Sequence, residues 1–534
     1  MVRQLIEKST LKIVLPILAV ILLAVTSTSW ADDLWTEPKI KMIDLSWSNP
    51  TVDFLAKNVK EIEKSCPLDG VTVRFSAVNS ETGKRFAASG AMNKKAWKYE
   101  CFQKDIELYK TIKFTTLTDN FFYTTVSPGD AQWFNDDDWA AVCGNYGIAA
   151  RIAKETGMRG ICFDIEEYGI KFWNFSTITT GQSYEEAYKI ARQRGQEWGN
   201  AVFSAYPEIA VLALHMMSYG NKATSLTVPF FNGVMSVMPK TATLHDGLES
   251  ASYHAKQASD YDRMMTLLYR TYLNRVEKCN LDIYRTQVKM APGYYLDGIY
   301  PTKKESYWHR ILVSEIKDDP NGFLRRILMS GVKVADQFVW IYGEKGAWWK
   351  GTSFQTWEER SPGITAAVLS VKDPYSLDVS NRVNMLKNSE FKEKRKNWSF
   401  WQIEQERKGA VVPGKGFDED GLLKIQGVTS GCFTQRVALE PGKTYLFCVT
   451  ARYETKTSGF CSGTIAFMDK NKVWNNMPAK QNMTFTQKEL GTWTTKMICF
   501  TVPKDSYFAS VQMGAINLGK DGIVAFQKIA LYEL

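Results

Sequence analysis

Gly160-Ile161-Cys162-Phe163-Asp164-Ile165-Glu166-Glu167-Tyr168-Gly169 is a short apolar run that ends in acids. Read as a strand over Arg159 to Ile165, it sends alternate side chains to opposite faces, so Cys162, Asp164 and Glu166 share one side. Similar runs precede it at Ile40 to Leu45, Gly70 to Phe75 and Asn120 to Val126. Others follow at Ile209 to Met216, Asn232 to Met238, Gln287 to Tyr295 and Asp336 to Tyr342. Amphipathic stretches such as Tyr184 to Ala205 and Tyr261 to Lys278 separate them. Strands alternating with helices imply parallel βα units, and this number of them predicts an α/β fold, a TIM-type (β/α)8 barrel over residues 32–360.

Working outward, residues 361–383 read as a linker, with Pro362, Gly363 and Pro374. Beyond it, residues 384–534 carry short β-rich runs divided by Gly, Pro, Asn and Asp turns, which predicts an all-β sandwich. At the other end, residues 1–31 have a charged start, an apolar run from Ile13 to Val25 and a small-residue close at Ser29-Trp30-Ala31. That is the grammar of an export signal, and the run is shorter than the roughly 20 residues that span a bilayer. The expected location is therefore secreted, periplasmic or at the cell surface, with no membrane association after cleavage.

Bulk composition narrows the function classes. The 534 residues have a formal charge of +9, with Lys and Arg dispersed rather than gathered into a stripe, so no nucleic-acid footprint is visible. Nine Cys cannot pair completely, none shows C-x-x-C spacing, and only four His are present. A Cys/His metal centre is not expected, nor is a cofactor. The late cysteines Cys432, Cys448, Cys461 and Cys499 are candidates for disulfides within the second domain. No G-x-S-x-G elbow occurs, which disfavours a serine esterase.

The chemistry points to Asp164 and Glu166. Barrel enzymes keep their reacting groups at the carboxyl ends of the strands. Two crowded carboxylates in a partly dry cleft cannot both ionise cheaply, so one is held protonated. A protonated acid beside an ionised one is what glycosidic bond cleavage requires. The alternative is a buried pair that satisfies backbone amides, and Glu167 offers a second register for the acid. A second carboxylate is sought in Asp246 and Glu249, read as a polar loop after the sixth strand, and in Glu344 at the eighth. Candidate sugar contacts are Trp47, Tyr123, His215, Tyr295 and Trp340. Asp44, Arg74 and Tyr294 lie at comparable places.

With its fourth strand ending in D-x-E, the barrel resembles (β/α)8 glycoside hydrolases, in part the chitinase-like group. That resemblance implies Glu166 as proton donor, Asp164 as its supporting carboxylate and Trp340 as the floor of a sugar subsite. Cys162 departs from the chitinase-like pattern, which continues upstream with further Asp. Asn384-Met385-Leu386-Lys387-Asn388-Ser389-Glu390-Phe391 followed by Trp398, the stretch from Gln435 to Tyr445, and the closing Ile529-Ala530-Leu531 resemble jelly-roll carbohydrate-binding modules attached to bacterial glycosidases. There the resemblance implies sugar stacking on rings such as Trp398, Trp401, Trp474 or Trp493, and allows a structural calcium. The sequence thus predicts an exported glycoside hydrolase whose partner is a polysaccharide or oligosaccharide. The competing expectation is a non-catalytic glycan-binding surface protein with a degenerate barrel.

Overall fold

The computed structural model describes residues 40–534 except 79–82, 84, 128, 168–170, 178–180, 220–223, 303–306, 317–318, 375–376, 378, 404–414, 420, 458, 476–479 and 486–489. The export signal read at 1–31 lies outside the described residues, as do Tyr168 and Gly169. Among the described residues no helix is long and apolar enough to cross a membrane. The chain divides into two compact units, with the break between Lys372 and Asp373.

The first unit is built on nine parallel strands: β1 (Lys41–Asp44), β2 (Gly70–Val73), β3 (Phe121–Thr125), β4 (Gly160–Asp164), β5 (Ala210–Ala213), β6 (Thr243–Asp246), β7 (Val288–Met290), β8 (Gly293–Tyr295) and β9 (Phe338–Tyr342). They form one sheet in the order β8-β9-β1-β2-β3-β4-β5-β6-β7. Strands covered on both faces need continuous apolar runs, and β4 is buried at every position. Its alternation still sorts the two faces. Ile161 and Phe163 join the helix-side core, while Cys162 packs with Ile43, Phe121, Leu212 and Phe338 in a separate inner cluster. The rings of Phe121 on β3 and His245 on β6 both meet Phe338 on β9, at 5.2 and 4.8 Å between centroids. Strands so far apart in the order touch only because the sheet curls around this inner cluster.

Two expectations are corrected. The run Asn232 to Met238, read as the sixth strand, belongs instead to helix α3 (Thr227–Ser236), which follows helices α1 (Asp136–Glu155) and α2 (Tyr184–Ala205). A helix apolar all round carries the same signal as a buried strand, and periodicity cannot separate them. Gly233 settles the packing, since a Cβ there would lie 1.9 Å from the Arg192 carbonyl of α2, and one at Gly195 on α2 would lie 1.9 Å from the Phe230 carbonyl. The sixth strand is Thr243–Asp246, so Asp246 closes a strand rather than lying in a loop. The run Gln287 to Tyr295 is likewise two strands, β7 and β8, interrupted at Ala291-Pro292, where proline removes a ladder donor. Helix α4 (Glu249–His254) follows β6. Helix α5 (Pro320–Val332) packs on α6 (Ile364–Lys372), which lies within the stretch read as linker and belongs to the first unit.

The second unit has two five-stranded antiparallel sheets. One joins β10 (Ser399–Gln402), β13 (Ser430–Ala438), β18 (Phe508–Ile516), β15 (Phe460–Met468) and β16 (Gln481–Phe485) in that order. The other joins β11 (Lys415–Glu419), β12 (Leu422–Gln426), β19 (Ile523–Glu533), β14 (Thr444–Tyr453) and β17 (Thr494–Thr501). Phe433, Ile465 and Val511 of the first share a core with Phe447, Phe500 and Phe526 of the second. All nine cysteines are free thiols. The disulfides considered for this unit are absent: Cys432 and Cys461 lie in one sheet, Cys448 and Cys499 in the other, and no two are cross-strand partners.

The helix crossing gives a direct stability test. Gly233→Ala forces α2 and α3 apart and should cost about 1–3 kcal/mol in urea unfolding. Gly144→Ala on α1, where an added Cβ meets nothing within 4 Å, should be neutral or stabilising.

Candidate active site

Asp164 is the last residue of β4 and points inward, as its place two residues after Cys162 requires. It is only 3% exposed. Tyr123 on β3 donates its hydroxyl to Asp164 Oδ2 at 3.0 Å, and the backbone N–H of Glu166 donates to Oδ1 at 3.0 Å. Burial, reinforced by the charge of Glu166, outweighs these donors and pushes the Asp164 carboxyl up to about 7. Glu166 follows on the same side and remains partly accessible. Glu167 turns the other way, and its Oε1 accepts the backbone N–H of Trp173.

The turn after β6 brings the second acid. Gly247 N donates to the Ala213 carbonyl at 2.8 Å and Glu249 N to the Leu214 carbonyl at 3.2 Å, which ties this turn to the end of β5. A Cβ on Gly247 would lie 2.6 Å from the Leu214 carbonyl oxygen, so only glycine fits. Leu248 then takes a left-handed conformation with φ of 47°. Such a state costs on the order of 1–3 kcal/mol and persists where its surroundings hold it. Here Asp246 Oδ1 holds it by accepting Leu248 N–H at 3.0 Å. The strained turn starts α4 with Glu249, only 6% exposed, aimed at the imidazole that follows β5. His215 Nε2 lies 3.1 Å from Glu249 Oε2.

Glu166, His215 and Glu249 form the convergence point: one ligand-capable atom from each lies within 4.8 Å of the other two. On its far side, His215 Nδ1 is 3.3 Å from Ser218 Oγ, and Ser218 donates its hydroxyl to Asp246 Oδ1 at 2.9 Å. Burial pushes the imidazole down, but Glu249, Asp246 and Glu166 together hold His215 above its ordinary 6.5. Burial likewise raises Asp246, against the donors from Leu248 and Ser218.

The remaining candidates divide. Trp47 is 51% exposed, with Lys345 Nζ 5.0 Å from its ring centroid. Tyr295, Tyr253 and Tyr342 stack as a three-ring cluster, with centroids 5.2, 5.3 and 6.4 Å apart. Trp340 is 0% exposed and donates its indole N–H to the Ala291 carbonyl at 2.8 Å, so it fills the inner core and is no sugar floor. Tyr294 is also buried, against Tyr261. Glu344 stands outside the cluster of three. Its backbone N–H is held by Asp297 Oδ2 at 2.6 Å, its Oε1 accepts the Tyr342 hydroxyl at 3.3 Å, and Asp297 pairs with Arg360 at 3.1 Å. Arg74 is spent on the rim, donating to the Trp47 carbonyl at 2.6 Å and to Asn49 Oδ1 at 2.7 Å. Sequence reading missed Ser218, Tyr253, Asp297 and Arg360. Only Tyr253 had a signal, four residues after Glu249 and thus on the same helix face.

Two cavities flank the cluster. A slot of about 30 Å³, touched by Trp47, Tyr123, Asp164, Glu166 and Glu249, has room for a water or two. A larger cavity of about 420 Å³ opens on the other side, lined by Glu167, Asn174, His215, Ser218, Tyr219 and Tyr272 among others.

No protein-family model matches the chain, and no curated protein matches it. Among solved structures, a family 16 carbohydrate binding module is 19% identical, with 28% of this chain and 100% of that chain covered and a TM-score of 0.21. An arabinose-bound α-L-arabinofuranosidase of glycoside hydrolase family 51 is 12% identical over 28% of this chain, with a TM-score of 0.22. The enzymatically active domain of tailspike protein 4 from bacteriophage CBA120 is 16% identical over 28% of this chain, with a TM-score of 0.23. The match spans 26% of the arabinofuranosidase chain and 22% of the tailspike chain.

Asp44, at the end of β1, offers a pH test away from the cluster. Burial pushes it from 3.8 up to about 7, against a 2.6 Å hydrogen bond from Ser46 Oγ. An acid that holds its proton more tightly when folded stabilises the fold at low pH, and that contribution is lost as pH rises from about 4 through about 7. Asp44→Asn should therefore raise the melting temperature by about 2–5 °C at pH 8 and by much less at pH 5. An equal difference at both pH values would contradict the assignment.

Proposed function

We propose that the chain is a glycoside hydrolase acting on a polysaccharide or oligosaccharide, with Glu166 as the general acid and Glu249 as the second carboxylate. Its first unit is read as a closed (β/α)8 barrel. Supporting this, β7 pairs with β6 at one end of the sheet and β8 pairs with β9 at the other, although the two are halves of a single segment. Between them, Ala291 N donates to the Asp246 carbonyl at 3.1 Å and Trp340 N to the Pro292 carbonyl at 3.2 Å. Closure puts Asp44, Asp164, Glu166, Glu249 and Glu344 around one mouth, at the carboxyl ends of the strands.

The observation that carries the reading is the approach of Glu166 and Glu249 oxygens to within 4.8 Å. Paired carboxyl groups about 5–5.5 Å apart accompany retention of configuration, whereas wider pairs leave room for a water between them. In these roles Glu166 must carry a proton as the acid and Glu249 must be free of one to act as the nucleophile. In the first step Glu166 gives its proton to the glycosidic oxygen as Glu249 attacks the anomeric carbon, breaking the bond to the leaving sugar. In the second, Glu166 takes a proton from water, which displaces Glu249 and restores both groups. The 420 Å³ cavity would receive the glycosyl unit, with Asn174 and Ser218 for its hydroxyls and Tyr219 and Tyr272 as apolar faces. The second unit is read as a jelly-roll carbohydrate-binding module, in which Trp401, exposed on the edge strand β10, and Trp474 would meet glycan, whereas Trp398 is buried.

One observation favours the alternative of a non-catalytic glycan binder: the slot against Asp164 and Glu166 admits only water as it stands. Hydrolysis across a glycan panel separates the two. On a cleaved glycan, Glu166→Gln and Glu249→Gln should each lower kcat by about 10²–10⁴-fold with glycan binding retained, and the product should keep its anomeric configuration by NMR. A wild type that binds glycans and cleaves none favours the binding protein.

A further inference from the structure

We infer that Glu166, His215 and Glu249 form a binding site for a single divalent cation of the zinc class. The three side chains come from just beyond β4 and β5 and from the start of α4, and one donor atom of each lies within 4.8 Å of the other two. Two donors about 2.1 Å from one ion, at tetrahedral to octahedral angles, sit about 3.0–3.4 Å apart. His215 Nε2 and Glu249 Oε2 already stand at 3.1 Å, which is the edge of such a polyhedron, and a Glu166 oxygen lies within 4.8 Å of both.

A second observation is independent of the spacing. Glu249 Oε2 is buried and, despite its nearness to Nε2, receives no well-directed hydrogen bond among the described residues. An acceptor left so in a dry site is costly, and a cation removes that cost. The imidazole is prepared for the same role from behind. Ser218 has one hydroxyl proton and gives it to Asp246 Oδ1, so its oxygen accepts from His215 Nδ1–H. With the proton on Nδ1, the lone pair of Nε2 faces Glu249 and Glu166. A carboxylate acting through a hydroxyl to orient a histidine is the outer support that metal-bound histidines use. Imidazole with two carboxylates suits zinc, cobalt or iron better than the all-oxygen set that calcium and magnesium prefer. His215 also lines the 420 Å³ cavity, which provides a path for entry.

The inference does not depend on the hydrolase reading, and the two fail separately. A bound cation would hold both carboxylates that hydrolysis needs, so it should inhibit cleavage, whereas lack of binding leaves cleavage untouched. The test is titration of the full chain with cobalt(II) chloride, followed by visible absorption, after treatment with a chelator. The expected result is one equivalent bound with a dissociation constant in the micromolar range and the spectrum of a low-coordinate ion. His215→Gln and Glu249→Gln should abolish that spectrum. Ser218→Ala, which touches the ion through no atom of its own, should weaken binding about 10–100-fold. Zinc should displace the cobalt. No saturable binding, or binding unchanged in His215→Gln with an unaltered circular dichroism spectrum, would overturn the inference.

Discussion

Burial of carboxylates at the carboxyl ends of parallel strands is the constraint around which the first unit is arranged. Asp44, Asp164, Asp246 and Glu249 are all buried at the ends of β1, β4 and β6 or just beyond. Removing an ionised carboxylate from water costs several kcal/mol unless it is protonated or met by donors. Three of the four have local donors: Ser46 for Asp44, Tyr123 and the Glu166 amide for Asp164, and Ser218 and the Leu248 amide for Asp246, while Glu249 Oε2 has the His215 ring 3.1 Å away. This compensation is partial, which is why Asp44 and Asp164 stay raised to about 7. Acids held poised in this way mark places where protons move, although ion-pair networks in ordinary cores produce the same signature.

The surrounding architecture holds the acids at their spacing. The left-handed Leu248 would relax if Asp246 did not grip its N–H, and Glu249 would swing with it. The stacked rings of Tyr253, Tyr295 and Tyr342 form a wall, and Glu249 lies close enough to Tyr253 and Tyr342 for its charge to help raise both hydroxyls. Behind the wall, the buried pair of Asp297 and Arg360 fixes the turn at Glu344. The same supports serve a proton-transfer site and a cation site equally, because both need donors held against their mutual repulsion.

Much of this was legible before folding was considered. Seven of the eight predicted strand positions correspond to strands of the sheet, and the inward direction of Asp164 follows from the two-residue repeat with Cys162. The failure at Asn232 to Met238 has a definite cause. A fully buried helix shows no polar face, and the glycines at 195 and 233 that let two helices touch are invisible as a packing pair until both helices exist. That one error also hid the nature of the Asp246 to Glu249 segment, which reads as a polar loop when the strand before it is misplaced. Trp340 was misjudged for a related reason: an aromatic at a strand end faces the mouth or the interior according to a register that neighbouring strands decide.

The sequence alone determined the alternation of strand and helix, the change to β-rich character beyond the connector, and the presence of paired acids at the end of the fourth strand. These are local properties, set by hydrophobic period and turn chemistry along a few residues. Only the tertiary structure decided which acid meets Glu166. Glu249 lies more than eighty residues away along the chain, and it reaches that place through the curl of the sheet, the strained turn at Leu248 and the anchoring of His215 by Ser218 and Asp246. Spacing between side chains on different strands is a property of pairing and curvature, and neither is written in the neighbourhood of any one residue.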